Sequence, residues 1–227
     1  RVATTFTEAE GRLPRGKVLL TGNPIRRSLL RWRGPEARTA LGIDHGHVIL
    51  VTGGSQGSER VNETVLAALP QLLRHATVVH LTGGAHLGRA EARKATLPAE
   101  LAARYRPYAF LRDEMGAALA SADLIVGRAS SSSIAEALAF GIPLVLIPFR
   151  AAAEGHQEAN ARAVEDIGAG IVIRESQLDA DRLTAEVVGL LDDPARMARM
   201  SSAARAMGKP RAAEQVAAEI ARLGRCT

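Results

Sequence analysis

Short runs of β-branched and other apolar residues recur along the chain, and each is followed by glycine or a polar cluster and then by a helical pattern. Runs that are apolar at nearly every position are typical of strands covered on both faces. After residues 48–52, apolar side chains recur at helical spacing from Val61 to Leu72, which predicts a long amphipathic helix. The strands predicted in this way are residues 18–20, 48–52, 77–82, 124–126, 143–147 and 170–173.

Strands and helices that alternate at this spacing predict an α/β fold with a doubly wound parallel sheet. In such sheets ligands bind at the carboxyl ends of the strands. Beyond residue 173 the pattern becomes helical, with predicted helices near 179–192, 194–207 and 210–223.

Composition narrows the class of protein. The chain has 227 residues, 47% of them hydrophobic and 23% charged, with a mean hydropathy of +0.01. These values indicate a globular protein with a sizeable core rather than a disordered chain or an integral membrane protein. The single cysteine, Cys226, excludes an internal disulfide framework and a cysteine-rich zinc site, and it favours a reducing compartment such as the cytoplasm.

The net charge of +5 is concentrated at one end. Residues 1–40 hold nine Lys and Arg against three Asp and Glu. Such a segment can contact phosphates or an anionic membrane surface, or it can simply be a solvated surface. Aromatic residues make up only 3% of the chain, so no nucleic-acid partner is expected. Because the chain begins at Arg1 without a signal sequence, we expect it to be the remainder of something longer.

The first candidate site is the loop Gly-Gly-Ser-Gln-Gly at residues 53–57, between a predicted strand and a predicted helix. Glycines allow close backbone approach, and the following helix start favours a phosphate. The alternative is a tight turn without a ligand. The loop matches neither the Walker nor the dinucleotide pattern, and the acid expected about 20 residues later is absent. NAD is therefore not expected, and neither is any other cofactor.

Four serines at residues 130–133, followed by Glu136, form the second candidate. Ser133 and Glu136 fit a capping box, in which the carboxylate bonds the backbone N–H at the start of a helix. The functional alternative is a carboxylate that accepts two ribose hydroxyls.

The third candidate follows the strand at 143–147, where His156, Gln157 and Asn160 begin a predicted helix. These side chains either bind a sugar or form a solvated first turn. No histidine pair has metal-ligand spacing, so no metal is expected, and no serine-nucleophile motif occurs.

Five segments occur in a specific order along the chain: GNPIR (22–26), TGGSQGSERVN (52–62), YAFLRDEM (108–115), the run from 122 to 148, and HQEANA (156–161). Taken in this order, they resemble the carboxyl half of the MurG family, the UDP-N-acetylglucosamine–N-acetylmuramyl-(pentapeptide) pyrophosphoryl-undecaprenol N-acetylglucosaminyltransferases. The resemblance extends from about Phe6 to the last helix.

The resemblance implies the Rossmann-like carboxyl domain of a GT-B type inverting glycosyltransferase, with C-terminal helices and no metal. It implies transfer of GlcNAc from UDP-GlcNAc to undecaprenyl-pyrophosphoryl-MurNAc-pentapeptide, which converts lipid I to lipid II in peptidoglycan synthesis. The implied organisation is an interdomain connection at 1–33, a donor-binding domain at 34–207, and a terminal helix at 208–227 that packs toward an amino-terminal domain. The implied location is cytoplasmic, peripheral on the inner face of the plasma membrane.

Site residues are also implied by the resemblance. Arg26 and Ser55 approach the diphosphate, Asn62 faces the cleft, and Leu111 meets the uracil through its backbone. Glu136 binds the ribose, and His156 and Gln157 recognise GlcNAc. Gln56, Gly57, Arg128 and Ser133 complete the implied UDP-GlcNAc site. The general base is expected in the amino-terminal domain, which also carries the contact with the lipid-linked acceptor.

The chain departs from the family pattern at Ala129-Ser130, where the family usually has Ser-Gly. We expect the isolated chain to bind the donor without efficient turnover. Two alternatives stay open: a donor subunit of a split GlcNAc-transferase, as in dolichol-linked sugar synthesis, and a non-catalytic UDP-sugar-binding module.

Overall fold

A parallel six-stranded sheet forms the centre of the computed structural model, which describes residues 1–5, 16–54, 56–149 and 155–224. Its strands are β3 (His47–Thr52), β4 (Ala76–Leu81), β5 (Tyr105–Tyr108), β6 (Leu124–Gly127), β7 (Leu144–Leu146) and β8 (Gly170–Val172); a separate parallel pair consists of β1 (Val2–Thr4) and β2 (Val18–Leu20).

The helices are α1 (Gly34–Ala40), α2 (Glu59–His75), α3 (Leu87–Ala95), α4 (Ala99–Ala102), α5 (Met115–Ser121), α6 (Ser131–Phe140), α7 (His156–Asp166), α8 (Ala180–Leu191), α9 (Pro194–Met207) and α10 (Ala212–Gly224). Short 3-10 turns span Arg27–Arg31, Gly84–His86 and Glu175–Gln177. In the part of the chain that the structure describes, no helix is both long enough and apolar enough to cross a bilayer.

The strand order of the large sheet is β5-β4-β3-β6-β7-β8. The chain builds outward from β3 to β5 in one direction and from β6 to β8 in the other. The order therefore reverses between β3 and β6, which is the point where doubly wound sheets open a crevice for a ligand.

Helices cover both faces of this sheet. Val48 and Leu50 of β3 pack in the apolar layer that includes residues of α1, α5 and α6, whereas Ile49 and Val51 pack in the layer that includes α2 and α8. All four β3 side chains are fully buried. The predicted doubly wound α/β fold is thus confirmed, and the double coverage explains why the four central residues of β3 are all apolar.

Strand β5 was not predicted by the apolar pattern. It carries Arg106 and Pro107 between two tyrosines, and it occupies an edge of the sheet. Proline is tolerated on an edge strand because one side of the strand needs no backbone N–H for pairing. An edge strand of this composition leaves no periodic apolar signal in the sequence.

An ion pair joins the residue before β1 to α10. The Arg1 guanidinium lies 3.3 Å from the Glu219 carboxylate on α10. Val2 and Leu19 of the β1–β2 pair and Ile220 of α10 are exposed, Ile220 by 65%. This part of the chain therefore leaves apolar side chains in contact with solvent.

Candidate functional site

Two adjoining cavities open at the carboxyl ends of the large sheet. The first, here called the Glu136 cavity, has a volume of about 410 Å³ and lies beside the ends of β3, β4 and β5. The second, the Arg128 cavity, has a volume of about 720 Å³ and lies beside the loops that follow β6, β7 and β8. Gly54 and Ser133 line both. The two cavities therefore meet where the strand order reverses.

The glycine-rich loop forms the boundary between the cavities. At Gly57 the backbone has a φ of +78°, and a Cβ there would lie 2.0 Å from the Thr82 carbonyl oxygen. Gly54 also has a positive φ, but a Cβ on it would meet nothing within 4 Å. Glycine at 57 thus allows the loop to pack against β4, while Gly54 presents bare backbone to the cavities. Gln56 and Gly57 line the Arg128 cavity, and Ser55 lies outside the described residues.

Three helices begin at this edge of the sheet, namely α2, α6 and α7. The unpaired N–H groups and the positive dipole end of a helix start favour an anion. Ser58 caps α2, with its hydroxyl 3.5 Å from the Val61 nitrogen, and also lines the Arg128 cavity. The boundary between the cavities is therefore suited to a phosphate-bearing ligand.

The serine run gives a correction to the sequence prediction. Helix α6 is capped by Ser130, whose hydroxyl accepts from the Ser133 backbone N–H at 3.3 Å. Ser133 is therefore the third residue of the helix and not its cap, so the predicted capping box of Ser133 and Glu136 is wrong. Glu136 lies in the second turn of α6, beyond reach of the cap.

The carboxylate of Glu136 lines its cavity in a partly buried position. Burial raises the pKa of this carboxyl above its ordinary value, and the positive charge of Arg26 partly opposes that shift. Among the described residues, the structure shows no donor bonded to this carboxylate. A half-buried acceptor of this kind suits a ligand that brings its own hydroxyl donors.

Arg26, Leu111 and Phe110 line the same cavity. Arg26 is exposed directly before a 3-10 turn, so its guanidinium is accessible to a ligand. Phe110 is 58% exposed, and the Arg112 guanidinium lies 5.4 Å from its ring centre. The rim of the Glu136 cavity thus combines an aromatic ring with two arginines.

Arg128 joins four segments around the second cavity. Its guanidinium donates to Ser58 Oγ at 3.1 Å, to the Ile147 carbonyl at 3.3 Å and to Glu175 Oε1 at 2.6 Å. It also lies 5.0 Å from the centre of the Phe149 ring. The Arg128 side chain is only 9% exposed. This arginine therefore holds the framework of the cavity together, and its charge is balanced by Glu175.

The structure does not place Asn62 in the cleft, which corrects the sequence prediction. Asn62 is buried, its side-chain nitrogen donates to the Thr82 carbonyl at 2.8 Å, and its oxygen lies 3.0 Å from His80 Nε2. Since that oxygen is an acceptor, His80 carries its proton on Nε2 and accepts from the Tyr105 hydroxyl at Nδ1, 2.9 Å away. Burial lowers the pKa of His80 to about 3, so this network is neutral.

The start of α7 brings one of its three candidate residues to the cavity. Gln157 lines the Arg128 cavity, and its side-chain oxygen accepts from the Phe149 backbone N–H at 3.0 Å. Asn160 donates to the Ala129 carbonyl at 3.0 Å, which ties α7 to the strand end of β6. His156 is exposed at the first position of α7 and does not line either described cavity.

Sequence reasoning did not assign a role to Glu175, Arg112 or Phe149. Glu175 follows β8 and Phe149 follows β7, so both lie where the strands of a parallel sheet end. That position was the available signal, but it becomes informative only when the strand order is known. Among the described residues, no group of three or more His, Cys, Asp or Glu side chains is placed to hold a metal ion.

Residues 48–216 match the model of the glycosyltransferase family 28 C-terminal domain. The chain is 37% identical over 226 residues to the UDP-N-acetylglucosamine–N-acetylmuramyl-(pentapeptide) pyrophosphoryl-undecaprenol N-acetylglucosamine transferase of Desulforudis audaxviator. That alignment covers 95% of this chain and 59% of the relative. The chain thus spans about three fifths of the length of the curated relatives that it matches.

Solved structures also resemble this chain, one of them a MurG and others only in fold. The crystal structure of MurG from Acinetobacter baumannii superposes with a TM-score of 0.76 at 27% identity, covering 97% of this chain and 60% of that one. The UDP-GlcNAc 2-epimerase of Neisseria meningitidis superposes with a TM-score of 0.62 at 15% identity, covering 94% of this chain and 57% of the epimerase, which shows a shared fold alone. The family model and the MurG relatives confirm the resemblance drawn from the sequence.

Proposed function

The chain belongs to glycosyltransferase family 28, whose C-terminal domain it contains, and from this premise we propose that it binds the nucleotide-sugar donor of a GlcNAc transfer reaction. The donor is UDP-GlcNAc, and the acceptor is undecaprenyl-pyrophosphoryl-MurNAc-pentapeptide. The observation that carries the proposal is the pair of adjoining cavities at the place where the strand order reverses, between β3 and β6. One of these cavities contains a partly buried carboxylate.

The uridine occupies the Glu136 cavity in this proposal. The carboxylate of Glu136 accepts hydrogen bonds from the two ribose hydroxyls. These hydroxyls supply the hydrogen-bond donors that no described residue provides to this carboxylate. The backbone at Leu111 meets the uracil edge, beside the exposed Phe110 ring. A nucleoside fits here because the cavity offers an apolar lining, from Leu81 and Met115 among others, and few polar groups to fix its orientation.

The diphosphate lies at the boundary of the two cavities, beside Gly54 and the first turn of α6, where Ser133 lies. Arg26 and the helix starts face the negative charge there, and Gln56 of the glycine-rich loop offers its backbone N–H. Ser55, which lies outside the described residues, stays in the proposal as a diphosphate contact. GlcNAc then extends into the Arg128 cavity, where Gln157 lies. His156 stays in the proposal as a sugar contact at the first position of the same helix.

The chemistry that these residues supply is binding, orientation and stabilisation of the departing UDP. In an inverting transfer, the acceptor hydroxyl attacks the sugar carbon from the face opposite the diphosphate, and the bond to the phosphate oxygen breaks. Arg26 and the helix starts stabilise the negative charge that develops on that oxygen. The base that accepts the hydroxyl proton comes from an amino-terminal domain outside this chain.

We also propose a domain organisation for the whole enzyme. Residues 1–33 connect to an amino-terminal acceptor domain, residues 34–207 bind the donor, and residues 208–227 pack against the acceptor domain. The exposed apolar side chains on the β1–β2 pair and on α10 support this arrangement, because a covering domain would remove them from water. The enzyme acts as a peripheral protein on the inner face of the plasma membrane, where the basic excess of residues 1–40 faces anionic lipid.

Calorimetric titration tests the donor assignment. The chain is titrated with UDP-GlcNAc, with UDP-glucose and NAD as comparison ligands, and Glu136→Gln is the variant. We expect selective binding of UDP-GlcNAc and a loss of roughly tenfold in affinity in the variant, since a hydrogen bond to a charged acceptor is lost. The matched control is Glu186→Gln, which removes an Arg–Glu contact on α8 outside both cavities. Equal affinity of the Glu136 variant and the wild type would contradict the assignment.

Turnover is tested separately by UDP release with a lipid-linked acceptor. The chain alone is expected to release no UDP above the hydrolysis background, and activity is expected once an intact MurG amino-terminal domain is added. Donor binding without activity in the presence of that domain would favour a non-catalytic UDP-sugar-binding module instead.

A further inference from the structure

Glu175 occupies an unusual position for an acidic residue beside a site for a negatively charged ligand. It begins the 3-10 turn that follows β8, and it lines the Arg128 cavity. Its Oε1 accepts from Arg128 at 2.6 Å, and its side chain remains 22% exposed. Among the described residues, none donates to its second oxygen, Oε2. That oxygen is therefore available to a ligand in the cavity.

The charges that line this cavity are balanced, with Glu59 and Glu175 against Arg60 and Arg128. Arg128 is held by Glu175 and by two neutral acceptors, Ser58 and the Ile147 carbonyl, so it offers little net charge to a phosphate. A second anion close to Glu175 would be repelled by its carboxylate. In the Glu136 cavity, by contrast, Arg26 and Arg112 outnumber the single carboxylate. The neutral part of a nucleotide sugar is therefore favoured beside Glu175, and the diphosphate is favoured nearer Arg26.

The neighbouring amide is a weaker acceptor for the same contact. The side-chain oxygen of Gln157 is neutral and already accepts from the Phe149 backbone N–H, so it keeps one lone pair for a ligand. Glu175 is thus an acceptor-only group with an uncommitted oxygen in a compartment suited to hydroxyl donors. We propose that Glu175 is a specificity-determining residue that accepts a hydrogen bond from a hydroxyl of the donor sugar. This inference rests on the proposed function.

The competing explanation is that Glu175 serves only to hold Arg128. Two variants separate the explanations. In Glu175→Gln, the amide oxygen keeps the bond to Arg128 and the amide nitrogen replaces Oε2, so the framework remains while the charged acceptor is lost. In Glu175→Ala, both the acceptor and the partner of Arg128 are lost. The Glu186→Gln variant again serves as the control, because Glu186 Oε1 also lies 2.6 Å from an arginine but lines neither cavity.

The experiment compares the affinities of UDP-GlcNAc and UDP, measured by calorimetry on each variant. UDP lacks the sugar, so the ratio of the two dissociation constants isolates the sugar contact. We expect the preference for UDP-GlcNAc over UDP to fall roughly tenfold in Glu175→Ala and severalfold in Glu175→Gln. The affinity for UDP itself is expected to stay constant or to rise, since a negative charge is removed from the cavity.

Each outcome is decisive. A reduced preference for UDP-GlcNAc with unreduced UDP affinity supports the sugar contact. Parallel loss of both affinities, or no change in either, overturns it and leaves Glu175 as a partner of Arg128 alone. If the wild-type chain binds UDP but neither Glu175 variant alters the preference, the donor assignment survives and only this inference fails. If the wild-type chain binds neither ligand, the proposed function fails first and this inference fails with it.

Discussion

The two cavities use the same pair of residue types, arginine and glutamate, in opposite ways. In the Glu136 cavity, Arg26 is exposed, and Glu136 interacts with it only through charge. In the Arg128 cavity, Arg128 is buried and bonded to Glu175 at 2.6 Å. The exposed Arg26 leaves its charge available to a ligand, whereas Arg128 directs its hydrogen bonds to the protein. An arginine beside a cavity is therefore a ligand contact or a framework residue according to its partners, and the residue type alone does not decide which.

The boundary between the cavities is where the largest effect of a substitution is expected. In Gly57→Ala, the new Cβ would lie 2.0 Å from the Thr82 carbonyl at a φ of +78°. Steric overlap and backbone strain together should lower the free energy of unfolding by roughly 3 kcal/mol or more. The measurement is urea unfolding followed by circular dichroism.

Gly54→Ala is the control for that experiment. Its φ of +88° adds strain, but the Cβ meets nothing within 4 Å. A loss of about 1–2 kcal/mol is expected. Equal losses at the two positions would show that contact between the loop and β4 does not hold the boundary in place.

Substitution of the two arginines should have different effects, one mainly on the free energy of unfolding and the other mainly on UDP affinity. Arg128→Met removes the partner of a largely buried carboxylate and should lower the free energy of unfolding by about 2 kcal/mol, discounted because Glu175 is partly exposed. Arg26→Met should change stability by less than about 0.5 kcal/mol, as is usual for exposed sites. It should nevertheless weaken UDP binding by roughly tenfold. Thermal unfolding and calorimetry check both variants, and a stability loss at Arg26 as large as at Arg128 would remove the distinction.

The smallest expected effect is a pH dependence of folding stability that arises from Glu136. Burial raises the pKa of Glu136, so the folded chain binds a proton on this carboxyl more tightly than the unfolded chain does. The contribution of this group to stability is therefore largest below its ordinary pKa and decreases as the pH rises through the raised value. The melting temperature of Glu136→Gln relative to wild type should thus increase across that interval.

Donor binding should show the opposite trend in the same pH interval. Ribose hydroxyls need the ionised carboxylate as acceptor, so the affinity of the wild type should fall on acidification, beginning above the ordinary pKa of glutamate. The Glu136→Gln variant lacks this titration and should show a flat profile there. If the donor affinity of the variant still falls on acidification, the titration belongs to another group.

Local pattern was sufficient for most of the fold. Apolar runs at β3, β6 and β7 and helical spacing in α2 predicted these elements closely, because each packs against the core along its whole length. The pattern was insufficient for β5, where Arg106 and Pro107 occupy an edge, and for the cap of α6. Four consecutive serines give four similar cap candidates, and the structure shows that Ser130 is the one that caps the helix.

The same distinction between local pattern and tertiary structure applies to the candidate site. The sequence alone determined the residue types at the strand ends, the glycines that allow close backbone approach, and the family resemblance carried by the order of the motifs. The tertiary structure decided that Asn62 bonds His80 and Thr82 inside the fold, that Glu136 is not a capping residue, and that Arg128 is bonded to Glu175. Those outcomes depend on which side chains meet across strands that are distant in the chain, and hydrogen bonds and burial are fixed by that meeting rather than by local sequence.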